Sequence, residues 1–254
     1  MNALPHDVSE QVNRVKDTLV AGVPALRGIY VHGSICLNDF VPGRSDVDVL
    51  ALSDAPMARA ERIALADALL ALHGRPCPIE LSVARVEDAR SLPVLCQFHF
   101  SDMWAPRYAG HDASNPLLEG AFPDDDMACH IRLTRQSGVA LFGPPPEALL
   151  PVIDDDAFWH ALTYDLEDLA PLSNPVYDAL TLARIVSFAH TRRILTKRQA
   201  ADWAESAFPA FAPILDEAVA AYESGRAPAW SADAITTYRD FMMEAIRRGI
   251  QGKK

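Results

Sequence analysis

Two aspartates, Asp46 and Asp48, stand one residue apart and lead into the apolar run VLAL at residues 49–52. Side chains alternate between the two faces of a β-strand, so both carboxylates would point the same way. Two anions this close need a positive charge between them. Mg²⁺ is the natural partner because it binds carboxylate oxygens together with substrate phosphates. Surface D-x-D pairs are common, however, so the pair alone does not establish a metal site.

The residues before this pair are suited to phosphate binding. Gly33 and Ser34 end an earlier apolar segment, and the turn-forming Pro42 and Gly43 lie between them and the aspartates. Glycine allows the backbone to approach a triphosphate closely, and a serine hydroxyl donates to phosphate oxygens together with nearby N–H groups. A strand, a Gly-Ser pair, a turn and two aligned aspartates make a far more demanding pattern than D-x-D alone.

A third acid, Glu80, lies between Ile79 and Leu81 in a segment that reads as a strand. Burying an ionised carboxylate without a partner costs free energy. A position facing an active cleft therefore explains Glu80 better than core packing does.

The hydrophobic patterns predict the elements that hold these residues. Asp7 and Glu10 have the spacing of a helix-capping box ahead of an apolar helical face. The predicted strands and helices alternate up to a proline run at residues 143–146. The strands are expected at 27–32, 46–52, 78–83, 97–100 and 139–142, and the helices at 57–73 and 126–137.

Helical patterns dominate after the proline run, and Thr196 with Gln199 forms another capping-box pair. The predicted fold class is α+β, with an N-terminal α/β domain built on a mixed sheet, residues 1–150, and a C-terminal all-helical bundle, residues 151–254. The C-terminal helices are expected at 155–170, 176–193, 197–206, 210–223 and 231–248.

Composition narrows the classes of function. The net charge of −11 repels polyanions, so no nucleic-acid partner is predicted, whereas a small cation would be attracted. No apolar run approaches the ~18–20 residues of a membrane span, and the N-terminal segment lacks secretory-signal features. The four cysteines are scattered, which fits reduced thiols. A cytoplasmic monomer without membrane contact is expected.

Three stretches resemble a known family. Residues 33–50, GSICLNDFVPGRSDVDVL, are similar to the signature of polymerase-β-like nucleotidyltransferases. Residues 180–185, LTLARI, and 195–204, LTKRQAADWA, resemble the helical domain of the streptomycin/spectinomycin adenylyltransferases, and residues 137–144, SGVALFGP, resemble the segment between their domains. The similarity runs in the same order over nearly the whole chain.

The resemblance implies roles for individual residues. Asp46 and Asp48 would bind two catalytic magnesium ions, and Glu80 would be the base that deprotonates an antibiotic hydroxyl. Trp104 would pack on the antibiotic. The residues that would contact the phosphates of ATP, beside Gly33, are Ser34, Ser45, Arg184 and Lys197.

Other readings of these side chains stay open. Lys197 follows a helix cap, where a cation is mildly unfavourable, which favours a phosphate role. Arg184 could equally emerge on a solvated helix face, and Trp104 could belong to the core. Among the acids before the LTLAR helix, Asp168 is the predicted substrate carboxylate, with Glu167 and Asp165 as alternatives. Two prolines in this connector indicate a loop path that differs from that of the family.

The predicted activity is transfer of AMP from ATP to a hydroxyl of an aminoglycoside or aminocyclitol, streptomycin or spectinomycin, with release of pyrophosphate. A lincosamide, another aminoglycoside or a protein side chain is an alternative acceptor, and a catalytically inactive nucleotide-binding relative is an alternative class. The histidines, among them His32, His99 and His130, share no metal-ligand spacing, so no role is predicted for them. The aspartates at 124–126 and 154–156 are expected to be solvated helix starts.

Overall fold

The computed structural model describes residues 4–109, 115–164, 166 and 174–251. The chain forms two compact units, Met1–Ala161 and Leu162–Lys254. The strands of the first unit are β1 (Leu26–Val31), β2 (Val47–Ser53), β3 (Ile79–Arg85), β4 (Val94–Phe100), β5 (Phe122–Asp124) and β6 (Val139–Phe142). The helices up to residue 163 are α1 (His6–Gly22), α2 (Gly33–Cys36), α3 (Arg59–Leu72), α4 (Ala105–Ala109), α5 (Met127–Ser137), α6 (Pro146–Leu149) and α7 (Asp155–Thr163).

The six strands form one sheet in the order β5-β4-β3-β2-β1-β6. β2 and β3 are parallel, and every other neighbouring pair is antiparallel, which confirms the predicted mixed sheet. Parallel neighbours need a crossover connection, and α3 provides it. This crossover places β3 beside β2, so residues about thirty positions apart in the sequence lie side by side.

The hydrophobic core of the first unit lies on one face of the sheet, where α1 and α3 cover it. Alternate residues of β2 and β3 point into this core, so the residues between them point to the opposite face. The strand residues that face the core are Ile29, Val31, Val47, Val49, Ala51, Ile79, Leu81, Val83, Phe98 and Phe100. The acids of the sequence motif therefore occupy the other face, away from the apolar core.

A buried glutamine in α1 fixes the segment that leads into β3. The Nε2 atom of Gln11 donates to the carbonyls of Leu72, at 3.0 Å, and Cys77, at 2.7 Å. Its Oε1 accepts the N–H of Cys77 at 3.1 Å. The turn between α3 and β3 is thus tied to the first helix, which helps to set where β3 begins.

The pattern-based elements of this unit were largely confirmed, with differences at short or capped elements. α1 begins at His6, so the capping box predicted from Asp7 and Glu10 was wrong. Asp7 lies inside the first turn and accepts the N–H of Val8 instead. The helices α2, α4 and α6 and the three-residue strand β5 were missed because each is too short to show a period.

The second unit contains α8 (Pro175–Thr191), α9 (Lys197–Ala207), α10 (Ala212–Ser224) and α11 (Ala232–Gln251), and no strand occurs among its described residues. α8 is buried on most sides and forms the centre of this unit. The hydroxyl of Tyr238 on α11 donates to the carbonyl of Ala179 on α8 at 2.8 Å. The Thr196–Gln199 capping box was confirmed at the start of α9.

The helix predicted over 155–170 is observed as α7 to Thr163; most of the remaining positions lie outside the described residues. Within the described ranges, no helix combines the length and apolar character that a membrane crossing requires. The assignment of 1–150 to nucleotidyl transfer and of 151–254 to substrate and nucleotide binding stays a prediction.

Candidate active site

The parallel pairing of β2 with β3 brings the predicted acids together. The register sets Asp48 directly beside Glu80. Asp46 precedes Asp48 by two residues, and both are half-buried, whereas Val47 and Val49 between and beside them are buried. The alternation predicted from the D-x-D pattern is therefore present. Three carboxylates approach one edge of the polar face of the sheet.

Gly33 and Ser34 begin the short helix α2, directly after β1. Gly33 has φ +65°, a conformation that favours glycine, and a Cβ at this position would collide with the Asp48 carboxylate. The Ser34 hydroxyl is buried and has no hydrogen-bond partner among the described residues. A buried hydroxyl without a partner is costly unless a ligand satisfies it.

Ser45 lies on the other side of the same loop. Its side chain is buried, and its Oγ accepts the N–H of Val41 at 3.0 Å. The hydroxyl thus closes the turn at residues 41–45. This contact holds the loop in front of Asp46, and the predicted contact of Ser45 with ATP stays a prediction.

Helix α5 adds a group that the sequence did not predict. Asp126 caps α5, and the Nε2 atom of His130, one turn later, lies 3.2 Å from the Asp126 Oδ2 atom. The same Nε2 lies 3.8 Å from the Oε1 atom of Glu80. No role was predicted for His130 from the sequence; in the structure its imidazole faces Glu80.

Asp126 is also more than a solvated helix start, because it holds His130. The signal was present as an Asp-x-x-x-His spacing, which places two side chains on one face of a helix. Its contact with Glu80 was not readable, since the sequence does not show where α5 packs. The remaining acids of that stretch and of 154–156 follow the prediction more closely: Asp154 accepts the N–H of Ala157 at the start of α7.

The three histidines on this face, His32, His99 and His130, differ in their pKa values. Burial lowers the pKa of His32 well below its usual value, and the charge of His130 lowers it further. Burial also lowers the pKa of His99, to about 4. Burial opposes protonation of His130 too, but Asp126, Glu80 and Asp124 outweigh it and raise its pKa to about 10. His130 is therefore the charged histidine of this group.

The Glu80 carboxyl has a raised pKa, chiefly because of burial, with Asp126 and Asp46 adding to the rise and His130 opposing it. A carboxylate with a raised pKa is a better proton acceptor than an ordinary one. Glu80 thus has the environment of a general base. Asp46 and Asp48 lie on one side of it, and the cation His130 lies on the other.

Two groups of residues could hold metal ions. The first is Asp46 and Asp48, whose carboxylate oxygens are the donors that Mg²⁺ prefers. The second is Glu80, Asp126 and His130, whose ligand atoms lie within 4.8 Å of one another. The residues of the first group fit magnesium, because Gly33 contacts Asp48 and the buried, unpartnered hydroxyl of the next residue, Ser34, would suit a phosphate bound with the ion.

Arg184 and Lys197 both lie in the second unit. The Nε atom of Arg184 is buried without a hydrogen-bond partner in the described part of the chain, and its Nη2 lies 3.4 Å from the Thr181 hydroxyl. Lys197 opens α9; its Nζ lies 3.3 Å from the Tyr222 hydroxyl and 5.5 Å from the centre of the Tyr177 ring. Both cations are held by neighbouring side chains in a defined place.

Of the predicted substrate residues, the structure describes Trp104 but not Asp168. Trp104 is half-buried and packs against the core, and the guanidinium of Arg107 lies 4.4 Å from its ring centre. Asp168, with its alternatives Asp165 and Glu167, lies outside the described residues. The structure thus places Asp46, Asp48, Glu80, Gly33 and Ser34 together, and leaves the antibiotic-binding assignments as predictions.

The parallel pairing of β2 and β3 aligns the Asp-x-Asp with a third acid behind a Gly-Ser turn, as the resemblance to nucleotidyltransferases implies. A crystal structure of spectinomycin adenyltransferase AAD(9) from Enterococcus faecialis, solved with ATP and spectinomycin, superposes with a TM-score of 0.82. The match covers 94% of this chain and 99% of that one at 20% sequence identity, which shows the shared fold.

Sequence comparison finds similar proteins of one kind. Residues 148–245 match the model of the aminoglycoside adenylyltransferase C-terminal domain. The aminoglycoside (3'') (9) adenylyltransferase of Shigella flexneri is 29% identical over 236 residues, covering 85% of this chain and 86% of the relative. Spectinomycin 9-adenylyltransferase of Staphylococcus aureus is 23% identical over 216 residues, covering 81% and 80%. The chain is thus similar to aminoglycoside adenylyltransferases over most of its length, and its C-terminal part matches the model of their C-terminal domain.

Proposed function

We propose that the protein transfers AMP from ATP to a hydroxyl of an aminoglycoside or aminocyclitol antibiotic, streptomycin or spectinomycin, and releases pyrophosphate. The observation that carries the proposal is the alignment of Asp48 with Glu80 on adjacent parallel strands, beside Gly33. It joins a metal-binding carboxylate to a candidate base. The similar proteins are named aminoglycoside (3'') (9) adenylyltransferase and spectinomycin 9-adenylyltransferase, which supports the proposal.

In the proposed reaction, the antibiotic hydroxyl oxygen attacks the α-phosphorus of ATP. An oxygen–phosphorus bond forms, the bond to the pyrophosphate breaks, and the hydroxyl proton goes to the Glu80 carboxylate. General-base help of this kind is worth about 10²–10⁴ in rate. Glu80 suits this task because burial raises its pKa.

Asp46 and Asp48 would hold the magnesium ions. Bound magnesium would neutralise the triphosphate and stabilise the leaving pyrophosphate. The remaining work belongs to the chain's own groups. The Ser34 hydroxyl, buried and without a described partner, is available to a phosphate oxygen, and Gly33 leaves room beside Asp48. Ser45 keeps the loop before Asp46 in shape.

The second unit supplies positive charge. We assign Arg184 and Lys197 to the phosphates of ATP, since charge-assisted hydrogen bonds to phosphate are stronger than neutral ones. The buried, unpartnered Nε of Arg184 is costly without an anion, which supports this assignment. Lys197 is held between the rings of Tyr177 and Tyr222, so little freedom remains to be lost on binding.

For the antibiotic, Trp104 is the proposed aromatic contact and Asp168 the proposed carboxylate. The net charge of −11 favours a cationic acceptor over a nucleic acid. The Arg107 guanidinium already lies over the Trp104 ring, so an antibiotic stacking there has to displace it or use the opposite face.

The test is product analysis. The purified protein is incubated with Mg²⁺, ATP labelled at the α-phosphate, and a panel of streptomycin, spectinomycin, kanamycin and lincomycin. The expected result is label in streptomycin, spectinomycin or both, with one pyrophosphate released per transfer. Label in lincomycin alone would replace the acceptor class, and ATP binding without any transfer would favour an inactive nucleotide-binding protein.

A further inference from the structure

The imidazole of His130 stands between two carboxylates that come from different elements. Its Nε2 lies 3.2 Å from the Asp126 Oδ2 atom, within α5, and 3.8 Å from the Glu80 Oε1 atom, on β3. The His130 side chain is only 12% exposed, so water screens these interactions weakly. One nitrogen thus links the helix to the candidate base.

The surroundings make His130 the cation of this face. The His32 ring packs edge-on against it, with centroids 5.3 Å apart, and the buried His32 Nδ1 has no partner among the described residues. His99 is held by the Ser82 hydroxyl, 3.0 Å from its Nδ1. Burial lowers the pKa of both neighbours, whereas the acids around His130 raise its pKa to about 10.

A metal ion is the alternative occupant of the Glu80, Asp126 and His130 group. A metal must first displace the proton from the imidazole, because a coordinating histidine is neutral. A metal-bound His130 and a protonated His130 therefore exclude each other.

We propose that His130, anchored by Asp126, is a positioning residue that holds one carboxylate oxygen of Glu80 and so commits Glu80 to proton transfer rather than to metal coordination. This inference rests on the proposed AMP transfer. Glu80 lies next to Asp48 in the strand register, so without a restraint its carboxylate could join Asp46 and Asp48 around the magnesium ions. His130 provides that restraint from the other side.

The experiment compares His130→Leu, which removes both the charge and the donor, with His130→Gln, which keeps an N–H donor near the same position. His99→Gln is the matched control, because His99 lies on the same face and is held by Ser82 rather than by Glu80. For each variant, kcat and the KM values for antibiotic and ATP are measured, and Mg²⁺-ATP affinity is measured by calorimetry.

His130→Leu is expected to lower kcat by about 10- to 100-fold, since small displacements of a reacting group have effects of this size. Its Mg²⁺-ATP affinity should stay the same or increase, because Glu80 becomes free to approach the metal. His130→Gln should recover part of the loss, because it keeps a donor but not the charge, and His99→Gln should leave kcat within about twofold. A structural defect would instead lower kcat and nucleotide affinity together and reduce the unfolding temperature.

Three outcomes overturn the inference. They are an unchanged kcat in His130→Leu with an active wild type, a parallel loss of kcat and Mg²⁺-ATP affinity, and tight binding of one Zn²⁺ by the wild type that His130→Leu abolishes. The last outcome would identify a metal site instead. A wild type that binds Mg²⁺-ATP but adenylylates no acceptor would overturn the proposed function, and that result is separate from all three.

Discussion

Gly33 and Asp48 are in such close contact that the glycine cannot carry a side chain. A Cβ at position 33 would stand 2.6 Å from the carboxyl carbon of Asp48, and the φ of +65° at Gly33 already disfavours any other residue. The proposed phosphate-binding turn and the proposed metal ligand therefore constrain each other. A substitution of Gly33 should therefore displace Asp48.

Gly33→Ala should lower both stability and turnover. The strained backbone alone costs about 1–3 kcal/mol, and the collision with Asp48 must move that carboxylate. Urea unfolding and AMP-transfer assays measure the two effects. Gly22→Ala is the control, since a Cβ there meets nothing within 4 Å and Gly22 lies in α1. The control should keep full activity and gain up to about 1 kcal/mol. An active, stable Gly33→Ala would show that the contact is dispensable.

Asp48→Asn should abolish AMP transfer while the fold persists. The amide removes one of the anions proposed to hold magnesium, and the loss of repulsion from Asp46 and Glu80 should leave the unfolding temperature unchanged or raised. The same change at the exposed Asp67 is the control. Turnover near the wild-type value in Asp48→Asn, with Mg²⁺ and ATP at saturation, would remove the metal assignment.

Glu80→Gln separates the role of a base from that of a metal ligand. Glutamine keeps the shape but cannot accept a proton at neutral pH. A base predicts a loss of about 10²–10⁴ in kcat with nearly normal Mg²⁺-ATP affinity. Calorimetry with nucleotide decides between the roles, since a large fall in Mg²⁺-ATP affinity would mean that Glu80 coordinates metal.

Lys197→Met should raise the KM for ATP by about 10- to 100-fold. This is the effect expected from losing one charge-assisted hydrogen bond, which contributes about 1.5–3 kcal/mol. The KM for the antibiotic should change much less. Arg198→Met is the neighbouring control, because Arg198 is paired with Glu223 at the surface. Equal effects of the two variants would point to the net charge of the unit rather than to a phosphate contact.

The stability that His130 contributes should depend on pH. Its pKa is about 10 in the folded chain and near 6.5 when unfolded, so the folded state holds the proton more tightly. That contribution is complete below pH 6.5 and declines as the pH rises to about 10. In the absence of metal, the difference in unfolding free energy between wild type and His130→Gln should therefore shrink from pH 7.5 to pH 10. His99→Gln should show a constant difference over this window, because His99 is neutral there in both states. A constant difference for His130→Gln would contradict the raised pKa.

The parts of the site that could be predicted are those encoded within one strand. Alternation along β2 was enough to align Asp46 with Asp48, and the isolated charge between Ile79 and Leu81 was enough to select Glu80. The position of His130 was not predictable, because it depends on how α5 packs across the sheet from residues far away in sequence. Asp126 and His130 carried a readable spacing, but nothing local linked them to Glu80.

The same division holds for the fold. Long elements with a clear period, such as α3 and β2, were confirmed, whereas the four-residue α2 and three-residue β5 were missed because their form depends on neighbouring strands. Whether an acidic side chain is solvated or held by a partner also depends on tertiary structure, so it could not be predicted from the sequence. Asp126 and Asp154 look alike in sequence, yet one holds His130 and the other caps α7.

The three hydrogen bonds of Gln11 show how this protein can lose its activity through a residue outside the site. Gln11 lies outside every recognisable motif, yet it ties down the turn from which Glu80 emerges. Side chains on a strand alternate, so a slip of one residue in β3 would turn Glu80 into the apolar core. A substitution in the first helix would therefore inactivate the protein while leaving every motif intact. A comparison that scores only the motif residues would count such a variant as active.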